Sequence, residues 1–133
     1  MSEKKGFKVI IAGGRDFNDF QLALAEFISF STQITLETGV VEPFFEVVSG
    51  GARGADLVGE RVAKACHLNV KRFIPNWDVL GKRAGFVRNT EMANYGDALL
   101  AFWDGVSRGT KNMIDTATRK GLIVKVVMYE RKT

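Results

Sequence analysis

Short apolar runs alternate with longer amphipathic stretches along the chain. Phe7 to Gly13 (FKVIIAG), Phe44 to Gly50 (FFEVVSG), Val70 to Ile74 (VKRFI), Ala98 to Trp103 (ALLAFW) and Ile123 to Tyr129 (IVKVVMY) are rich in branched or aromatic residues and predict strands. Between them, helical spacing of apolar residues runs over Phe20 to Glu37, Ala55 to Cys66, Arg83 to Asn94 and Thr110 to Lys120. Strands that are nearly all apolar need cover on both faces, which crossover helices between parallel strands provide. The pattern therefore predicts an α/β protein: a single doubly wound, Rossmann-like domain over residues 1–133, with about five mainly parallel strands and helices on both faces.

Helix ends support this register. Asp19 stands where an N-cap belongs, and Gly39 and Gly121 follow the first and last helices, where a left-handed C-cap is common. The first helix carries an unusually wide apolar surface. Phe20, Leu24, Phe27, Ile28 and Ile34 nearly fill one face, while Leu22, Phe30 and Leu36 spread beyond it. A homo-oligomer, in which the second apolar side meets another subunit, is the expectation, and a core helix beneath the loop from Gly39 to Pro43 is the alternative.

Composition narrows the class. No apolar run approaches the roughly 20 residues of a membrane span, and the opening MSEKKGFKV reads as a short basic lead into a strand, so no membrane partner is expected and a cytoplasmic location is. The net charge of +4 comes partly from the ends of the chain. That is not the dense basic face of a duplex-DNA protein, although an acidic ligand fits it. Cys66 is the only cysteine and His67 the only histidine, so both are expected to be structural, with neither a metal site nor a cofactor.

The chemistry collects where strands end. After the first four strands come GGRDFND, GGARGAD, PNWDVLGKRAG and DGVSRGT, each containing glycine, arginine and aspartate. In a doubly wound sheet the ligand crevice lies outside the carboxyl ends of the strands. Glycine permits close backbone approach, helix starts attract anions, and arginine forks bind the same oxygens. Arg15, Arg53, Arg88 and Arg108 are the candidates for holding a phosphate or carboxylate. Asp56 can cap a helix, pair with an arginine or accept from a ribose hydroxyl, and Asp104 closes the fourth strand where a ligand-facing carboxylate belongs. Trp77 and Trp103 lie in or beside these loops, as stacking faces for a base or, for Trp103, as core. Neither a complete GxGxxG nor a GxxxxGK[ST] loop is present.

Taken together, IAGGRDF, VVSGGARGAD, GKRAGFVRNTEMA, DALLAFWDGVSRGT and MIDTATRKGLIVKVV resemble the YspA-like branch of the SLOG superfamily. The superfamily is Rossmann-like and related to the LOG phosphoribohydrolases and to the DNA-processing protein DprA. The resemblance implies binding of a nucleotide or nucleotide-derived ligand. LOG enzymes cleave the bond between base and ribose phosphate with an arginine in RKxxM and a glutamate ending PGGxGTxxE. Here Arg88, Met92, Gly109 and Thr110 are kept, Asn89 replaces the lysine, and Met113 stands at the glutamate position. A thioether can neither give nor take a proton, so a nucleoside 5′-monophosphate phosphoribohydrolase activity would need Asp104, Asp115 or Glu91 instead. DprA-like proteins carry SGxARGxD and RN segments, matched by Ser49 to Asp56 and Arg88 to Asn89, and bind single-stranded DNA.

The expected function is thus binding, as a sensor or sequestering protein, of a nucleotide or a ligand such as ADP-ribose. Single-stranded nucleic acid is the alternative partner, and N-glycosidic hydrolysis the alternative chemistry. The expected site has Gly13, Gly14, Arg15 and Asp16 as one wall and Ser49, Gly50, Gly51, Ala52, Arg53 and Gly54 on phosphate. Arg88 and Asn89, with Ser107, Arg108, Gly109 and Thr110, would hold a second anionic group. Asp56 and Asp104 serve hydroxyl contacts or capping, and Trp77 serves stacking.

Overall fold

A computed structural model of the chain describes residues 6–41 and 45–131. Phe44, Pro43 and both chain ends lie outside the described residues, as does part of the loop proposed to cover the first helix. The elements are β1 (Phe7–Gly13), α1 (Phe20–Thr38), β2 (Phe45–Ser49), α2 (Ala55–Ala65), β3 (Asn69–Arg72), α3 (Trp77–Leu80), α4 (Ala84–Tyr95), β4 (Ala98–Trp103), α5 (Arg108–Arg119) and β5 (Ile123–Met128). A 3₁₀ turn, Gly81–Arg83, joins α3 to α4.

All strand pairs are parallel, in the order β3-β2-β1-β4-β5. Chain order reverses between β1 and β4, which pair from Val9 with Ala98 to Gly13 with Phe102. Both are central and covered on each face, which is why their sequences are almost wholly apolar. Val9 and Ile11 pack toward Phe27 and Phe30 of α1 and Val58 and Val62 of α2. Ile10 and Ala12 pack toward Met92 of α4 and Met113 and Ala117 of α5. The outer strand β3 is exposed at all four residues, contrary to the expectation of two-sided cover. Lys71 and Arg72 on it discourage pairing with another sheet.

Most of α1 is covered within the chain. Phe27, Phe30 and Ile34 are buried, and Phe20, Leu22 and Leu24 pack against the same core. Only Ile28 and Leu36 of its large apolar residues remain exposed. The wide apolar surface is thus largely explained by wrapping into one core. Asp19 caps α1, accepting from the Leu22 N–H at 3.0 Å, and Gly39 ends it in the left-handed region.

Candidate functional site

The reversal between β1 and β4 leaves a crevice that neither crossover covers. A cleft of about 740 Å³ opens there, lined by the turns after β1, β2 and β4 and by the α3–α4 segment. Its floor depends on backbones packed at close range. The Gly14 N–H donates to the Phe102 carbonyl at 3.2 Å, and the Gly14 carbonyl accepts from the Ala55 N–H at 3.0 Å. A β-carbon on Gly54, whose φ is +84°, would meet the Gly14 carbonyl and lie 2.5 Å from the Arg15 Cα. The turns after β1 and β2 therefore touch backbone to backbone. Phe17 pins the first of them by stacking on Phe102 with ring centroids 4.4 Å apart, while Arg15 and Asp16 stay exposed in the cleft wall.

Arg88 reaches in from α4. Its Nη1 donates to the Gly50 carbonyl at 2.8 Å and its Nε to Asn89 Oδ1 at 3.1 Å. Burial lowers its pKa, with the Asp56 charge opposing. Asp56, 6% exposed, accepts from the Ala52 N–H at 3.2 Å. Burial pushes its carboxyl up to about 6, against the attraction of Arg88. The helix cap on α2 is Gly54, not Asp56, because Asp56 lies within the first turn and turns its carboxylate back on the preceding loop.

At the other end of the cleft, Asp104 Oδ1 accepts from the Val106 and Ser107 N–H groups, both at 2.8 Å. These bonds, the one from Ser107 foremost, hold its carboxyl below the usual range and keep it ionised. Arg131 bridges two turns, with Nε 3.5 Å from Asp16 Oδ2 and Nη1 3.8 Å from Asp104 Oδ2. The Tyr129 hydroxyl donates to Asp16 Oδ1 at 2.5 Å, and burial first, then this bond, raises its pKa.

The expected residues divide cleanly. Gly13, Gly14, Arg15 and Asp16 line the cleft, as do Ala52, Arg53 and Asp56. So do Trp77, Arg88, Asn89, Asp104, Ser107, Gly109 and Thr110. Ser49, Gly50, Gly51, Gly54 and Arg108 do not. The Ser49 hydroxyl is buried, accepting from the Gly51 N–H and donating to Glu60 Oε2 at 2.7 Å. Glu60 in turn holds Arg72, so Ser49 builds the turn. Gly50 lies under the Arg88 guanidinium, Gly51 faces Ile74, and Gly54 is the contact with Gly14. Arg108 is exposed on the first residue of α5. Trp103 is half-buried, with its Nε1 donating to the Ser107 carbonyl at 3.0 Å.

Asn89 is buried and ties α4 to α5 through Gly109 and Asn112. Met113 faces the cleft at 1% exposure, where the LOG comparison asks for glutamate. Of the proposed substitutes for that glutamate, Asp104 is in the cleft. Asp115 pairs instead with Lys111, and Glu91 is exposed elsewhere on α4. Lys82, Phe86 and Arg131 line the cleft without having been singled out. Lys82 and Phe86 both lie in the GKRAGFVRNTEMA stretch, Phe86 within its helical pattern, and Arg131 lies among terminal charges. No group of three or more potential metal ligands occurs among the described residues.

A five-stranded parallel sheet in this order, with helices on both faces and a cleft at its reversal, defines a Rossmann-like α/β protein. The chain belongs to the YspA, cpYpsA-related SLOG family, whose model matches residues 7–79. It is 39% identical over 84 residues to the Gene 61 protein of Mycobacterium phage D29, covering 59% of this chain and 67% of that protein. Its fold is similar to that of DNA processing protein A (DprA) from Streptococcus pneumoniae, with a TM-score of 0.62 at 16% identity. That likeness covers 92% of this chain, which spans half the length of the DprA chain.

Proposed function

We propose that this chain binds a nucleotide or nucleotide-derived ligand, such as a nucleoside monophosphate or ADP-ribose, in the cleft between the turns after β1, β2 and β4, and senses or sequesters it. One observation carries the reading: Arg15, Arg53 and Arg88 line a single cleft together with Gly109 and Thr110 in the first turn of α5. Arg15 and Arg53 are exposed and take no part in an ion pair among the described residues. Their donors are therefore available to phosphate oxygens, as are the N–H groups of a first helical turn. Asp16, beside Arg15 on the same wall and partly exposed, offers an acceptor for a sugar hydroxyl, while the Asp104 carboxylate is buried and builds the turn before α5.

Holding suits this arrangement better than breaking. Met113 has no proton to exchange, and Asp104 is fixed as an ionised acceptor by two backbone donors. Asp56, whose carboxyl burial raises to about 6, is the group on which hydrolysis would have to rest. Release of adenine from AMP, absent in Asp56→Asn, would establish that alternative.

Arg53→Ala should weaken a phosphate-bearing nucleotide by about 10- to 100-fold, the value of a charge-assisted hydrogen bond, without changing the melting temperature of the free protein. Titration calorimetry measures this, and unchanged affinity removes Arg53 from the site. The fold likeness to a DNA-processing protein favours single-stranded DNA as the second reading. Affinity that grows with oligonucleotide length and falls steeply with salt would select it.

A further inference from the structure

The α3–α4 segment brings to the cleft the groups that the phosphate reading leaves unused. Trp77 opens α3 and Phe86 lies in the first turn of α4, and both line the cleft. They are 49% and 50% exposed. Among the described residues, neither ring packs on another aromatic ring. Large aromatic surface left open costs hydrophobic free energy, and here it faces the cavity that holds the arginines. The far edge of the Trp77 indole lies against Gly85, 3.6 Å from where a β-carbon there would be, which is ordinary van der Waals contact. Lys82, on the turn between the two rings, adds a cation to the same wall.

We propose that Trp77 and Phe86 form a stacking subsite for a planar heterocycle, so that the cleft selects nucleoside phosphates over sugar phosphates and inorganic anions. This inference rests on the nucleotide-binding reading and adds the part of the ligand that phosphate contacts cannot distinguish. The geometry divides the ligand along the cleft. The heterocycle lies on the α3–α4 wall, its phosphate meets Arg15, Arg53 and Arg88, and hydroxyl groups reach toward Asp16. Stacking tolerates any base, because every base has a π face, so discrimination falls between having a base and lacking one.

The test compares ribose 5-phosphate with AMP, GMP, CMP, UMP and ADP-ribose by titration calorimetry on the full chain, wild type, Trp77→Ala and Phe86→Ala. At least one of the base-bearing ligands should bind wild type about 10-fold or more tighter than ribose 5-phosphate. Each variant should lose about 10-fold for that ligand while binding ribose 5-phosphate as wild type does. Both side chains are half exposed, so the variants should fold, which their melting temperatures check. Trp77→Phe should retain most of the preference, because it keeps a ring. Equal affinity of wild type for ribose 5-phosphate and every base-bearing ligand would overturn the stacking subsite while leaving the phosphate site standing. So would an equal loss for both ligand classes in the variants, which would make the rings structural. Failure of wild type to bind any of these ligands would overturn the nucleotide reading and the subsite with it.

Discussion

Asp56 carries a pH dependence whose direction follows from its burial. Its pKa rises from 3.8 to about 6 on folding, so the folded chain holds that proton more tightly than the unfolded chain. The associated stability is fully present below about pH 4 and is lost as pH rises through about 6. Asp56→Asn keeps a neutral side chain throughout and escapes that loss. Between about pH 4 and pH 7, wild type should therefore lose roughly 2 to 3 kcal/mol relative to the variant, at 1.36 kcal/mol per pKa unit. Denaturant titrations at a series of pH values measure it, and a constant difference would contradict the assignment. Gly54 makes the second residue-scale prediction. With φ at +84° and the Gly14–Arg15 backbone against its α-carbon, Gly54→Ala should cost about 2 kcal/mol or more and disturb the cleft floor. A variant as stable as wild type would show that the two turns do not depend on this contact. The glycine content of GGARGAD was plain in the sequence, but the division of labour was not. Nothing local says that Ser49 turns inward to Glu60 while Arg53 faces the cleft, because the Glu60–Arg72 pair that settles it comes from α2 and β3.

At the scale of elements, α2 and α5 end alike. The Leu122 and Gly121 N–H groups bond to the Ala117 and Thr118 carbonyls, both at 3.1 Å. The Leu68 and His67 N–H groups bond to Ala63 at 2.8 Å and Lys64 at 3.2 Å in the same pattern. Gly121 adopts φ +84° without strain, whereas His67 is held at +59°. His67→Gly should therefore raise stability by about 1 kcal/mol, a rise of a few degrees in melting temperature. A fall would mean that the imidazole contributes contacts beyond its backbone role. The central strand β4 follows its apolar run residue for residue because its first five residues are buried and Trp103 is half-buried. β3 departs from its expected bounds because its pairing, Glu46 with Asn69 through Ser49 with Arg72, is set by β2 rather than by its own exposed residues. The short α3, capped by the Asn76 side chain on the Val79 N–H, is too brief to show a periodicity. α5 likewise begins at Arg108 rather than Thr110, since the Asp104 carboxylate takes the Val106 and Ser107 N–H groups and starts the turn early.

On the scale of the whole molecule, parallel strands in the order 3-2-1-4-5 bring four separate stretches of chain to one edge. That convergence was readable from arginine, aspartate and glycine recurring after successive strands. The contribution of the segment after β5 was not, because Tyr129 and Arg131 acquire roles only once β5 lies beside β4 and carries them to Asp16 and Asp104. No helix among the described residues is long and apolar enough to cross a membrane. The central claim is that this shared edge holds a nucleotide. Thermal melting of the full chain in millimolar AMP, GMP, CMP, UMP, ADP-ribose and NAD tests it most directly, because a ligand bound only to the folded state adds RT ln(1 + [L]/Kd) to stability. At about 100 times Kd the gain is ~2.7 kcal/mol, a rise of several degrees that Arg53→Ala should sharply reduce. No rise with any of these nucleotides, or an equal rise with Arg53→Ala, would contradict the account.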